Sequence, residues 1–189
     1  MTDRDTMTDR DTMTDQHNRM LTVTEPGAVP WLSVVFGYGP MLPFAAGAAA
    51  AWWLGGTRGG AWDGTWGGTR GETWGGVMLS LTTLWGCAIL LFLSGVRRGL
   101  SFRTEGGPTW VQIATMLGLF LLGFSALVLT AGGAPGPALV LLIVGFTGIA
   151  VLDPIAARRG EAPLFFARLR PLQIPIAIVS LCALLALTL

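Results

Sequence analysis

The chain has 189 residues, 52% of them hydrophobic and only 12% charged, with a formal net charge of +1. Soluble domains carry roughly 25% charged residues, so this composition leaves too little polar surface for a water-soluble fold of this size. The near-neutral balance, in which every basic residue is an arginine, predicts no strong field and argues against a nucleic-acid partner.

The first eighteen residues are one hexapeptide written three times, MTDRDT, MTDRDT and MTDQHN, and a polar stretch follows to Pro30. Such a tract has too little apolar surface to fold and is expected to be a disordered tail. Met7, Met13 and Met20 are further candidate starts, and the Asp-rich pattern does not read as a signal peptide. His17, the sole histidine, lies in this tail, while Cys87 and Cys182 fall in apolar runs and read as small buried hydrophobes rather than a disulfide. Neither a metal nor a cofactor is expected on this donor set.

From Trp31 to Leu54 no residue is ionisable except Tyr38, and the stretch is long enough to cross about 30 Å of hydrocarbon. Pro40 and Pro43 lie inside it and are expected to kink or locally unwind the helix, with Gly37, Tyr38 and Gly39 at the break. Trp31, Trp52 and Trp53 fit interfacial belts. Residues 55–76 repeat glycine and tryptophan without helical or strand period and read as a surface loop, with a carbohydrate or ligand platform as the alternative.

A second span covers residues 77–96 and stops at Arg97 and Arg98, whose side chains can reach the interface. At its cytoplasmic end Gly95 and Gly99 form a small-xxx-small pair that would let another helix backbone approach closely. Ser80, Thr82 and Thr83 read as hydroxyls bonded to their own helix rather than as nucleophiles, for want of an activating base. A third span covers residues 110–129 after the start signal Pro108, and the short connection TAGGAPG forces a hairpin with a fourth span over 137–153. Asp153 closes that span on the membrane face where Arg97 and Arg98 emerge. It either pairs with them or caps and hydrates the helix end, since Pro154 follows at once. After a polar stretch the last span covers 172–189, with Pro175 expected in its first turn.

Ten arginines fall on one side of this threading (Arg4, Arg10, Arg19, Arg97, Arg98, Arg103, Arg158, Arg159, Arg168 and Arg170), and only Arg58 and Arg70 on the other. The positive-inside rule then predicts an all-α integral membrane protein with five transmembrane helices, a cytoplasmic N-terminus and its C-terminus on the opposite side.

Four stretches, in order, carry a family resemblance: FGYGPMLPF (Phe36 to Phe44), AILLFLSGVRRG (Ala88 to Gly99), Asp153, and APLFFARLRPL (Ala162 to Leu172), which includes Arg170. Together they resemble the domain-of-unknown-function 3429 family (DUF3429), small five-helix membrane proteins with a mitochondrial member. Arg98 stands where that family usually has Trp, and Ser94 where it usually has Gly. The resemblance implies a bacterial cytoplasmic (inner) membrane location and lends no chemistry. The sequence therefore points to a non-enzymatic protein that acts by helix packing, as an accessory or assembly factor of a membrane complex such as a respiratory one. Its partners would be the lipid bilayer and other membrane subunits, and a small transporter or channel is the alternative.

Overall fold

The structure, a computed structural model, describes residues 31–56, 74–101, 109–158 and 164–189, with the side chains of 32–33, 55–56, 100–101, 157–158 and 164–170 outside the description. The N-terminal hexapeptide repeats, most of the Gly/Trp loop, and His17, Arg103, Arg159, Pro108 and Ala162 also lie outside it.

The described residues of the unit Trp31–Leu189 form helices and no strand. α1 (Trp31–Tyr38) runs through a single 3-10 turn (Gly39–Met41) into α2 (Leu42–Gly56). Then follow α3 (Trp74–Ser101), α4 (Trp110–Ala131), α5 (Pro135–Arg158) and α6 (Leu164–Ala186). Four stretches, Val34–Leu54, Trp74–Gly99, Trp110–Ala131 and Pro135–Ala156, are long and apolar enough to cross a membrane, and α6 adds the shorter apolar run Pro171–Ala186. This is the architecture expected where backbone polar groups must be satisfied within each spanning segment, as in a multi-pass helical membrane protein.

Each long helix packs on its neighbour in sequence, and α6 closes the ring by returning to α2, with α3 also reaching α5 and α6. At the centre Phe44 meets Phe146 edge to face at a centroid distance of 5.4 Å, and both rings are fully buried, as are Leu90 and Leu142. Close approach depends on glycine at specific points. A Cβ on Gly145 would lie 2.5 Å from Leu90, and one on Gly86 would lie 2.9 Å from Leu142. One on Gly47 would overlap the Thr82 hydroxyl. The outer faces carry Phe92, Leu117, Leu121, Phe124 and Val128, while Trp31 and Trp110 mark one end of the bundle and Trp52, Trp53 and Trp74 the other, all exposed.

The helix ends explain themselves chemically. α4 opens with a capping box in which the Thr109 side chain accepts from Gln112 N (3.3 Å) and Gln112 Oε1 accepts from Thr109 N (3.1 Å). It closes with Ala134 N donating to Leu129 O (2.9 Å) and Gly133 N to Thr130 O (3.1 Å), and Gly133 takes a φ of 78° that only glycine adopts readily. The hairpin turn between α4 and α5 is thus tighter than the expected seven-residue connection.

Three helices are longer than the apolar runs imply. α3 begins at Trp74, inside the expected loop. α5 begins at Pro135, because a proline in a first turn removes only an N–H that has no helical acceptor. It also continues through Pro154 to Arg158 instead of stopping at Asp153. α6 starts at Leu164, so Pro171 and Pro175 are interior and Pro175 is not in the first turn. Arginine is a good helix former, and its charge marks where the helix meets water rather than where it ends.

Candidate functional site

Hydroxyls buried in the bundle bond mainly to their own helices: Thr82 to Met78 O (2.7 Å), Thr83 to Leu79 O (2.8 Å), Ser94 to Leu91 O (2.7 Å), Thr130 to Ala126 O (2.7 Å) and Ser180 to Ile176 O (2.7 Å). Local satisfaction of this kind costs no inter-helix geometry. The polar groups that do cross between helices are therefore informative, and most of them gather at two places.

The first is a cluster on α3, α4 and α5. Arg97 donates from Nε (3.1 Å) and Nη2 (2.5 Å) to Asp153 Oδ1, and from Nη1 to Thr115 Oγ1 (3.3 Å). The Thr115 hydroxyl passes its own proton to Gln112 O at 3.0 Å, so it is free to accept from the guanidinium. The two charged side chains are only 17% and 9% exposed. A carboxylate so far from water needs a cation, and a guanidinium that donates twice to one oxygen holds it well. This arrangement settles the two readings of Asp153: it is neither a helix terminus nor a hydrated cap, because the pair neutralises it and lets α5 run on. Arg98, one residue along α3, is exposed, and the side chain of Arg170 lies outside the described residues.

The second place is the break between α1 and α2. Pro43 removes the N–H that would bond Gly39 O in an α-helix, and Leu42 N takes that carbonyl in a 3-10 turn instead. Where a kink or local unwinding is expected from the sequence, the α-helix is interrupted by this single 3-10 turn, with Tyr38 (φ −83°, ψ −32°) and Leu42 (φ −58°, ψ −43°) keeping helical angles. Trp85 of α3 donates Nε1 to Pro40 O (3.0 Å), and at the far end of the bundle Trp52 donates to Ala183 O of α6 (2.9 Å). Tyr38 is half-buried, Gly39 and Pro43 are exposed, and Phe44 is in the core.

Gly37 carries the contact that sequence reasoning missed. The amide of Gln173, from α6, occupies the space where a Gly37 side chain would be. Gln173 is 3% exposed, and its Nε2 has no hydrogen-bond acceptor among the described residues. The signal was present in the chain: Gln173 is an uncharged polar residue in an apolar run, set between Pro171 and Pro175.

One expectation, for Cys182, fails, and the Gly95 and Gly99 pair meets no helix of the described chain. Gly95 and Gly99 have nothing within 4 Å of a Cβ position, so no described helix of this chain packs on them; they lie on the outward face of α3. Cys182 is exposed, whereas Cys87 is buried, because the α6 ring contact uses Ala177, Leu181 and Leu184 and turns position 182 outward. Among the described residues no three His, Cys, Asp or Glu side chains come together.

The chain matches no protein-family model, no curated protein and no solved structure.

Proposed function

We propose that this protein is a multi-pass protein of a bacterial cytoplasmic membrane that acts by helix packing, as an accessory or assembly factor for a larger membrane complex. The observation that carries this reading is the filled axis of the helix ring, where Phe44, Leu90, Leu142 and Phe146 are all fully buried. A packed core of this kind makes a stiff scaffold, and its recognition surface is then the outside. The outward Gly95 and Gly99 of α3, beside exposed Phe92, offer a close-approach surface to another helix. The proposed orientation has the N-terminus in the cytoplasm and residue 189 across the membrane, because ten of twelve arginines then stay inside. The resemblance to the DUF3429 family supports the same reading, with a respiratory complex as the proposed partner. Affinity purification in mild detergent tests it: stoichiometric co-purification of other membrane subunits is expected, and recovery of the protein alone counts against it.

A second reading, a small transporter or channel, is favoured by one observation. The proline-interrupted segment Gly37 to Pro43 meets the proline-containing stretch Pro171 to Pro175 of the continuous α6 through Gln173, and an interrupted helix is where transporters place their sites. Reconstituted protein that moves no protons, ions or small solutes would exclude it.

A further inference from the structure

α1 is held differently from the other helices. Trp31, Val34, Val35 and Phe36 are exposed, and beyond its own 3-10 turn α1 packs chiefly on α6. Pro40 removes the donor that an α-helix would aim at Phe36 O, and Pro43 removes the one for Gly39 O. The i to i+4 bonds that stiffen a helix are therefore missing where α1 joins α2. Leu42 N takes the second of these carbonyls in the 3-10 turn.

The contact with α6 contains a buried donor with no acceptor among the described residues, Gln173 Nε2 against Gly37. A buried polar group left unmade is costly, and more so in a hydrocarbon setting. The carbonyl that Pro40 deprives of its helical donor belongs to Phe36, the residue next to Gly37. An unmet donor on α6 and an acceptor without its helical donor on α1 thus lie one residue apart, across a joint with reduced stiffness.

We propose that α1 is a hinged half-helix with two positions on α6. In the position seen here the Gln173 amide lies on Gly37. In the second, α1 turns about Gly39–Met41 until Gln173 donates to the Phe36 carbonyl. Gly37 makes room for the first, where a Cβ would meet the end of the Gln173 side chain. The device depends on neither functional reading; it would serve a partner-dependent docking motion or a gate equally well.

The test is a spin-label distance measurement on the full chain in lipid nanodiscs. Labels are placed on exposed Val35 of α1 and exposed Val179 of α6, with Cys87→Ala and Cys182→Ser removing the native thiols. Two resolved distances are expected in the chain with Gln173 intact, and loss of one of them in Gln173→Leu, which keeps the bulk and removes the donor. A single narrow distance with Gln173 present overturns the proposal, whatever the variant does. Two distances that persist unchanged in Gln173→Leu overturn the role of the amide.

Discussion

Replacing Asp153 by leucine leaves Arg97 facing α5 without its carboxylate. Removing one member of a buried ion pair costs about 3–5 kcal/mol. Here the side chains retain 17% and 9% exposure, and Arg97 lies four residues, roughly 6 Å of rise, from the end of α3. The freed guanidinium can therefore extend toward water and recover part of its solvation. Thr115 also retains its bond to Nη1, so the cost falls to about 2–3 kcal/mol. For a chain of this size that is a drop of roughly 5–10 °C in midpoint, readable as loss of helical circular dichroism on heating in detergent. Arg97→Leu should also destabilise, by taking the guanidinium's two hydrogen bonds from the carboxylate. The double variant should be more stable than the summed single losses, because two leucines leave no stranded charge. If the two single costs simply add, the pair is not coupled and the reasoning fails.

Gly145→Ala should destabilise by about 1–3 kcal/mol, since its Cβ would sit 2.5 Å from Leu90. Gly95→Ala should be neutral or slightly stabilising for the isolated protein, as it meets nothing and gains helix propensity; the same thermal melts compare the two. Under the assembly reading, however, Gly95→Ala should lower the yield of co-purified subunits, and an unchanged yield would remove that face from the proposed interface. Trp85→Phe should lose about 1 kcal/mol through the bond to Pro40 O, measured by chemical unfolding, and an unchanged midpoint would show that the bond contributes nothing. A reporter enzyme fused after Leu189 should be active only on the far side of the membrane, and cytosolic activity would refute the orientation.

The helical class and the rough placement of the long apolar helices were legible in the sequence, because lipid demands long uncharged runs and the arginines punctuate them. The back-bonded threonines of α3 were legible for the same reason: a hydroxyl in an apolar helix has its own carbonyls within reach. Helix ends were less so, since charge and proline were read as stops. Arg97 and the carboxylate of Asp153 show why that failed: a charge can stay inside a helix bundle when another helix supplies its partner, and no single segment reveals the partner. The Thr109 and Gln112 capping box could have been read as its spacing stands, one residue before the apolar run.

By itself the sequence determined that this chain is built from apolar helices, roughly where they run, and which ends carry the arginines, all of which follow from hydropathy and charge along a line. Only the tertiary structure decided which faces meet. It placed Gly145, Gly86 and Gly47 at the close contacts and turned Gly95 and Gly99 outward, paired Arg97 with Asp153, and set Gln173 on Gly37. In a bundle whose faces are nearly all apolar, hydrophobic periodicity no longer distinguishes inside from outside, and that choice passes to side-chain shape and to the few polar groups that must find each other.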